Sequence, residues 1–439
     1  MNRLSIKRAS TLVILGFALI VVPASAHAQV FDTEALGQEV LWSDFFGVDA
    51  RAIGMGNTGL ALGHDGSALI YNPANLSSVK RIELRAGFSH LRLTNDSRLD
   101  YGGGDVFTDG SDISKTRINA LSLAVPVPTY RGSLVFAFGL HRINSYDRAF
   151  GVTFDDAGGD DGSFRGREIE TGGMWKWSAG GAVDISPRLS VGAALHLLTG
   201  KDEYRWDSRD ATNPAIHYTE DQLIEIDYVG VSAAGGVSFN VSPSLSAGLT
   251  IETPTILNAD EVSTLVSSID TLNSNFAWDF VEEGFATYNV TRPFVFGFGM
   301  AGSFSRANLA ADFRYTDWTQ MDFDYDDPSL DAEENDAVRF IQDELSEVVS
   351  IQLGGEFLFP EQGMTVRAGY FRDPLPVDEK FIEKQRQYLT AGIGFLIDRV
   401  MTLDIAYVHG GYELRNEDPG TYNAEYKTRR LFATFGYRI

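Results

Sequence analysis

Two acidic runs are the stretches of this sequence best suited to metal chemistry. They are Asp322–Pro328 (DFDYDDP) and Asp155–Asp161 (DDAGGDD). Clustered carboxylates suit hard cations such as Ca²⁺, but neither run has the spaced ligands and the closing glutamate of a calcium-binding loop. The runs therefore favour solvated acidic loops, and we expect no metal site.

Residues for catalysis are sparse or wrongly spaced. The seven histidines form no H-x-x-x-H or H-E-x-x-H pair, and no G-x-S-x-G nucleophile elbow is present. The chain has no cysteine, which excludes disulfides, thiolate nucleophiles and cysteine-ligated metals. The sequence therefore predicts a protein that is not an enzyme and that needs no cofactor.

The first 28 residues have the features of an export signal. Arg3, Lys7 and Arg8 give a basic start, Thr11–Val22 is apolar, and an A-x-A cleavage site precedes Gln29. The apolar run is shorter than the roughly 20 residues of a spanning helix. Loss of these three cations takes the formal charge from -24 to about -27, which argues against nucleic acid as a partner.

The elements that must position any functional residues are strands. Apolar residues alternate with Gly, Ala, Ser and scattered charge in segments of about ten residues, as in Leu134–Leu140 and Phe294–Met300. A soluble β-sandwich or propeller also alternates. Here, however, the charge-bearing face is the one with small residues and the other face is large and apolar, which is typical of a barrel with lipid outside.

The alternation predicts an all-β fold, a 14-stranded antiparallel transmembrane β-barrel. Connections alternate between tight turns, such as Ser186–Pro187 and Asp398–Arg399, and long polar loops, as an even-stranded outer-membrane barrel requires. The chain ends on a strand with Tyr437 and Ile439 on one face. The predicted strands are residues 81–92, 115–126, 131–143, 170–184, 188–200, 222–240, 244–253, 285–304, 307–318, 348–359, 364–373, 387–397, 400–412 and 424–439.

Two of the long loops have helical patterns. Asn258 and Glu261 have the spacing of a capping box, and they predict a helix over Asn258–Phe276. Its apolar face is Val262, Leu265, Val266, Ile269, Leu272 and Phe276. This face either packs on other loops or the barrel rim, or it forms an exposed groove that captures an apolar ligand. A second, more acidic helix is predicted over Asp331–Glu347.

Ten charged or polar residues fall on the predicted inner face of the barrel. Charges of both signs inside a barrel usually pair across the lumen, so a ladder of ion pairs is favoured over contact with substrate. The ten are Glu83, Arg85, His141, His196, Asp312, Arg314, Gln352, Glu356, Arg367 and Asp404.

A glycine-rich stretch, Gly47–Val79, lies between the export signal and the first strand. Its sequence ARAIGMGNTGLALGHDGSALIYNPANL, with the barrel that follows, resembles the FadL/TodX family of outer-membrane transporters for long-chain fatty acids and aromatic hydrocarbons. In that family an N-terminal hatch with an Asn-Pro-Ala motif plugs a 14-stranded barrel. The resemblance implies a hatch at residues 29–80 and a barrel at residues 81–439. The matching hatch motif is Gly54, Met55, Gly56, Asn72, Pro73 and Ala74.

The resemblance also implies passive transport. A hydrophobic molecule would land on a groove made by loop helices, enter an apolar pocket above the hatch, and leave through a lateral opening in the wall. The family ties that opening to a kink in its third strand, where Gly139 could permit a bend. The loop at residues 201–221 is shorter than its counterpart in the family, which implies a shallow or altered groove.

A second resemblance leaves the partner open. The stretch RAIGMGNTG is also similar to PorV-like barrels, which bind proteins in type IX secretion. A structural or general diffusion barrel is a third alternative. The first hypothesis implies hydrophobic small molecules as cargo. The expected surroundings are outer-membrane lipid, lipopolysaccharide and barrel assembly machinery in a Gram-negative-type bacterium, with the protein as a monomer.

Overall fold

The computed structural model describes residues 46–63, 65–100, 106–155, 163–211, 216–271, 276–416 and 421–439. The expected export signal (residues 1–28), residues 29–45 of the expected hatch and most of the acidic run at 155–161 lie outside the described residues. The strands are β1 (Glu83–Asp100), β2 (Val106–Val127), β3 (Leu134–Ser145), β4 (Arg148–Asp155), β5 (Ser163–Ser186), β6 (Leu189–Asp210), β7 (Ile216–Ser242), β8 (Leu245–Glu252), β9 (Thr255–Thr271), β10 (Phe276–Arg292), β11 (Val295–Ser303), β12 (Ala307–Asp317), β13 (Asp322–Tyr325), β14 (Glu347–Phe359), β15 (Met364–Arg372), β16 (Ile382–Ile397), β17 (Met401–Asn416) and β18 (Thr421–Arg438). The helices are α1 (Ala50–Gly54), α2 (Ala68–Tyr71) and α3 (Asp331–Glu344), with 3₁₀ turns at Pro73–Ser78, Trp318–Gln320, Pro328–Leu330 and Glu379–Phe381.

The strands form one closed antiparallel sheet. β1 pairs with β2 on one side and with β18, the last strand, on the other. Four strands are each divided into two segments by a short interruption, namely β3/β4, β8/β9, β10/β11 and β12/β13. The 18 segments therefore make 14 strands, which confirms the predicted barrel and its strand number.

Alternation places large apolar side chains outside and small or polar ones inside. In β3, Phe136 and Phe138 are 48% and 58% exposed, whereas Val135 and Ala137 are fully buried. An apolar outer band around a small and polar interior is the arrangement of barrels that span a bilayer.

Short links join the strands at one end of the barrel, as the sequence predicted, whereas many of the residues predicted as long loops at the other end extend the strands instead. These links include residues 187–188 between β5 and β6 and residues 398–400 between β16 and β17. Asp398 and Arg399 have φ of 50° and 58°, the conformation of a tight two-residue hairpin. At the opposite end β7, β9 and β10 extend well beyond the apolar band.

The predicted helix over Asn258–Phe276 is wrong. Residues Thr255–Thr271 form β9, which pairs with β7 on one side and β10 on the other. Its β-branched residues favour an extended chain, and two neighbouring strands satisfy its backbone. The helical spacing was a coincidence, because Val262 and Val266 lie on one face of the strand while Leu265 and Ile269 lie on the other.

The second helical prediction is confirmed. The helix α3 covers Asp331–Glu344, with Ile341 buried in the barrel interior and Leu345 buried just after its end. Among the described residues, no helix is long and apolar enough to cross a membrane.

Candidate functional site

Residues 46–80, called the lumenal segment below, lie inside the ring of strands. The Ala50 amide donates to the Thr434 Oγ1 in β18 (3.0 Å), and the Gly56 amide donates to the Thr390 Oγ1 in β16 (3.0 Å). Fully buried side chains of the lumenal segment include Ile53, Leu69, Asn72, Ala74 and Leu76. The segment therefore packs against the inner wall from several sides.

Local capping gives the lumenal segment its turns. The Asp49 side chain accepts from the amides of Arg51 and Ala52 and so begins α1. Gly56 and Asn57, with φ of 66° and 64°, turn the chain after that helix.

The Gly54-Met55-Gly56 stretch lies directly against glycines of the wall. A Cβ at Gly354 would overlap the Met55 carbonyl oxygen, and one at Gly369 would overlap the Gly56 amide. Because Gly354 and Gly369 of the wall and Gly56 of the segment carry no side chain, the two backbones approach closely. Glycine is thus required both in the segment and in β14 and β15.

The Asn72-Pro73-Ala74 motif makes the corresponding contact with β6, β7 and β8. The Asn72 Nδ2 donates to the carbonyls of Leu60 (2.7 Å) and Val237 (3.2 Å), and its Oδ1 accepts from the Ala74 amide (3.1 Å). The wall opposite consists of Gly192, Gly236 and Gly248, where a Cβ would overlap the motif or the Leu60 carbonyl. The motif therefore holds the lumenal segment against the wall.

Ion pairs join the lumenal segment to the barrel. Arg85 of β1 contacts four carboxylates, at 2.5 Å (Asp49), 3.3 Å (Glu83), 3.6 Å (Asp65) and 3.6 Å (Asp404). Burial raises the pKa of Asp49 to about 6; Arg85 lowers it, while Asp65 and Asp404 raise it further. Burial also raises the pKa of Asp65, but Arg85 and the hydrogen bonds from Ser67 hold it at about 2.

A second group of ion pairs lies beside the first. Glu356 accepts from Arg51 of the lumenal segment (2.7 Å) and from Arg367 of β15 (3.0 Å), and Arg367 also contacts Asp404 (2.8 Å). Asp312 accepts from the amides of Gly59 (2.6 Å) and Leu60 (2.8 Å) instead. The predicted pairing of charges inside the barrel is therefore found, and the lumenal segment takes part in it.

The third strand is interrupted after Gly139, between the end of β3 at Ser145 and the start of β4 at Arg148. The ladder between β2 and β3 ends at the pair Ala120 and His141, and Val106–Asn119 of β2 pairs with β1 alone among the described residues. Residues 141–144 are all buried, which shows that the chain turns inward there. The His141 ring fills the space that a Cβ on Gly139 would need. Gly139 itself is paired with Ser122 of β2 and Ser178 of β5, and the irregularity of β3 lies beyond it, where the register with β5 shifts between Arg142 and Asn144.

An open recess of about 720 Å³ lies on the wall beside the end of the β2–β3 ladder. Outward side chains, including Phe138 (58% exposed) and Trp177 (50%), line part of it. Inward and buried side chains, including Ser178 and His196, line the rest. The recess therefore lies on the lipid-facing surface of the wall, and the paired strands beneath it separate it from the lumen.

A smaller cavity of about 150 Å³ lies above the lumenal segment. Asn57 and Ile70 of the segment form part of its wall, and Trp318 and Phe371 are among its aromatic residues. Polar and apolar groups contribute about equally, whereas the resemblance implied an apolar pocket. An apolar cluster adjoins it on the side of the long loops and contains Ile143, Met174, Leu198, Tyr228, Tyr288, Phe323 and Ile341.

The residues expected to form a ligand groove do not form one surface. Leu265 and Ile269 lie on the inner face of β9, and Val262 and Val266 lie on its outer face, 42% and 37% exposed. Leu272 lies outside the described residues. Only the inner pair, near the stacked rings of Trp278 and Phe280, faces the mouth of the barrel.

Sequence reasoning missed several residues of the site. Asp49, Arg51 and Asp65 were passed over because a charge in a glycine-rich stretch indicates no particular partner. Arg292 at the end of β10 and Trp318 in the 3₁₀ turn after β12 are close in space but far apart in sequence. A signal did exist for Asp49, which precedes a short helical pattern as N-caps do.

No protein-family model matches the sequence, and no curated protein sequence matches it. Solved structures do match the fold. The toluene transporter TodX of P. putida superposes with a TM-score of 0.61 at 14% identity over 90% of this chain and 99% of that chain. The Ralstonia pickettii toluene transporter TbuX gives 0.55 at 13% over 90% and 99%. A Pseudomonas aeruginosa FadL homologue gives 0.61 at 13% over 90% and 98%. At this identity the likeness establishes the fold.

Proposed function

We propose that the protein is a passive outer-membrane uptake channel for hydrophobic compounds such as long-chain fatty acids or hydrocarbons. The observation that carries the proposal is the apolar recess on the outer wall beside the interruption of β3. An aqueous pore needs a lumen and two open ends. An apolar recess on the lipid-facing wall, next to the point where the β2–β3 ladder ends, suits a molecule that leaves sideways into lipid.

The interior on the side of the long loops supports the same proposal. A hydrophobic molecule that enters there meets the apolar cluster around Tyr228 and Tyr288 rather than a hydrated channel. That cluster adjoins the cavity above the lumenal segment through Ile143 and Leu198. Apolar surface along the route lowers the free energy of each step for a hydrophobic molecule and excludes ions. The solved structures of similar fold include toluene transporters.

In this proposal the lumenal segment is the hatch, with Gly54–Gly56 and Asn72–Ala74 as its two contact points on the wall. Gly139 and the inward turn that follows it form the lateral opening. The export signal is cleaved after Ala28, and the mature barrel lies in the outer membrane of a Gram-negative-type bacterium. Outer-membrane lipid and lipopolysaccharide surround it, and barrel assembly machinery inserts it as a monomer.

Uptake into proteoliposomes tests the function. We expect the protein to accelerate entry of toluene and oleate, and to leave the entry of glucose and small ions unchanged. Equal acceleration of glucose would indicate a general diffusion pore and overturn the proposal. A deletion of Ala50–Leu76 that folds and leaves both hydrophobic uptake and ion exclusion unchanged would remove the hatch role alone.

One observation favours a second function, a protein-binding barrel of the PorV type. The outer face of the β9–β10 hairpin lies beyond the apolar band and exposes Val281 (60%) and Phe285 (74%). Exposed apolar side chains at that position suit contact with another protein. A photo-crosslinker at Phe285 that captures a secreted protein, in a barrel that transports no hydrophobic compound, would favour this function over uptake.

A further inference from the structure

The cavity above the lumenal segment carries an excess of positive charge, in a chain whose net charge is -24. Its wall has four cationic side chains, Lys176, Arg292, Arg314 and Arg386, and two carboxylates. Each carboxylate already has an ion pair. Lys176 contacts Glu252, and Arg386 contacts Asp373 (3.2 Å). The wall therefore has two more cations than anions.

Arg292 is held in place by an aromatic ring. Its guanidinium lies over the Trp318 ring at 5.6 Å from the centroid, and it forms no ion pair with any residue in the described ranges. The aromatic face positions the cation without neutralising it, because a cation–π contact leaves the charge and the hydrogen-bond donors of the guanidinium available. An anion with a hydrogen-bond acceptor complements this arrangement.

A second polar group of the wall is also unsatisfied. Gln352 is 4% exposed, and its Oε1 has no hydrogen-bond partner among the residues that the structure covers. Leaving a buried amide oxygen without a hydrogen-bond donor is unfavourable. This oxygen needs a donor, which a carboxylate ligand can supply only through a bridging water, whereas a neutral hydrocarbon holds no such water.

The volume limits the apolar part of the ligand. About 150 Å³ is available, and an engineered protein cavity of about 150 Å³ accepts benzene. The aromatic walls Trp318 and Phe371 suit a flat ring. A long alkyl chain exceeds this space, so the cavity fits one ring with a small anionic substituent.

We propose that this cavity binds a single-ring aromatic carboxylate, with Arg292 receiving the carboxylate and Trp318 and Phe371 contacting the ring. The inference rests on the proposed function and narrows the substrate class of the same channel. Binding of a carboxylate would distinguish this channel from one that carries only neutral hydrocarbons. Bidentate contact between a guanidinium and a carboxylate is the strongest contact the wall offers.

The test uses the full mature protein in lipid nanodiscs with benzoate and toluene as probes, followed by saturation-transfer NMR and calorimetry. We expect benzoate to bind at least about tenfold more tightly than toluene, because only benzoate gains a charge-assisted contact. Arg292→Gln should lose that preference and keep its affinity for toluene, and Arg292→Lys should retain part of it. Arg188→Gln, which removes a cation from a short turn outside the cavity, is the matched control.

The outcomes separate the two proposals. Equal affinity for benzoate and toluene, with no effect of Arg292→Gln, would overturn the carboxylate site and leave hydrophobic uptake standing. Binding of neither probe, together with no uptake in proteoliposomes, would overturn the proposed function itself. If Arg292→Gln does not fold, as judged by heat-modifiable migration in gels, Gln352→Glu replaces it. A carboxylate there should weaken benzoate alone, and equal effects on both probes would contradict the site.

Discussion

The guanidinium of Arg117 binds both carboxylate oxygens of Asp147, with Nε at 3.0 Å from Oδ2 and Nη2 at 2.5 Å from Oδ1. Arg117 belongs to β2, and Asp147 lies between β3 and β4, so the pair crosses the interruption where the two strands no longer share a ladder. Asp147 also accepts from Arg142 (3.2 Å) and Ser145 (3.0 Å). One buried carboxylate thus holds the inward turn against the wall.

Replacement of Asp147 tests the contribution of this pair to stability. Asp147→Asn leaves Arg142, whose side chain is 3% exposed, without its anion. We expect the free energy of unfolding to fall by about 3 kcal/mol. Arg117→Gln should cost only about 1 kcal/mol, because the side chain of Arg117 is one-third exposed. Urea unfolding followed by tryptophan fluorescence measures both, and equal losses would contradict the assignment.

Gly139 has a steric role that can be tested by uptake. A Cβ in Gly139→Ala would meet the His141 ring and force it from its position. We expect hydrophobic uptake to fall by about fivefold, the equivalent of about 1 kcal/mol in a barrier. Gly235→Ala is the control, since the nearest atom to its new Cβ lies at 3.7 Å. The double variant with His141→Ala should recover uptake; failure to recover would point to another cause.

Adjacent glycines of β14 give a matched pair for the lumenal segment. A Cβ at Gly354 would overlap the Met55 carbonyl, whereas one at Gly355 meets only the tip of the Leu309 side chain at 3.0 Å. We expect Gly354→Ala to displace the segment and raise ion conductance in planar bilayers. Gly355→Ala should keep the conductance of the unmodified protein. Unchanged conductance in both, with folded barrels, would show that the wall tolerates the methyl group.

The raised pKa of Asp49 predicts that the stability of the folded protein depends on pH. Its pKa is raised by burial from 3.8 to about 6 in the folded protein, so the folded state binds the proton more tightly than the unfolded state does. The stabilisation is fully present below about pH 4 and is lost as the pH rises through 6, to a total of about 3 kcal/mol. The midpoint temperature of thermal unfolding should therefore decrease as the pH rises from about 4 to about 6.

Asp49→Asn provides the control for that pH dependence. Asparagine keeps the capping acceptor for the amides of Arg51 and Ala52 but does not titrate. We expect the midpoint of the variant to be nearly flat over the same range. A variant that keeps the full slope would show that another group is responsible.

The strands were predictable because the two faces of each strand have different surroundings. Large apolar residues therefore alternate with small or polar residues along the sequence. Phe136 and Phe138 of β3 and the final strand illustrate this. Two of the interruptions also had a signal, since Pro254 and Pro293 cannot donate to a ladder and each lies at a break. The break after β3 had none, because Tyr146 and Asp147 carry no feature that distinguishes them from strand residues.

The site was predictable only in outline. The glycines at positions 354 and 369 were visible as small residues on the inner face, but their partners in the lumenal segment lie about 300 positions away. No local pattern records such a pair. The helix expected over Asn258–Phe276 failed for a related reason. Pairing with β7 and β10 stabilises this segment as a strand. The sequence of the segment alone does not reveal these neighbours.

The hydrogen bond from the Ala50 amide to Thr434 joins residues 384 positions apart, and β1 meets β18 in the same region of the wall. Contacts of such separation form late, after the intervening chain has ordered. The first described residues of the chain can therefore reach their final position only when the last strand is in place. Folding of the lumenal segment and closure of the barrel become one concluding step, and a chain that stops before Thr421 would lack both.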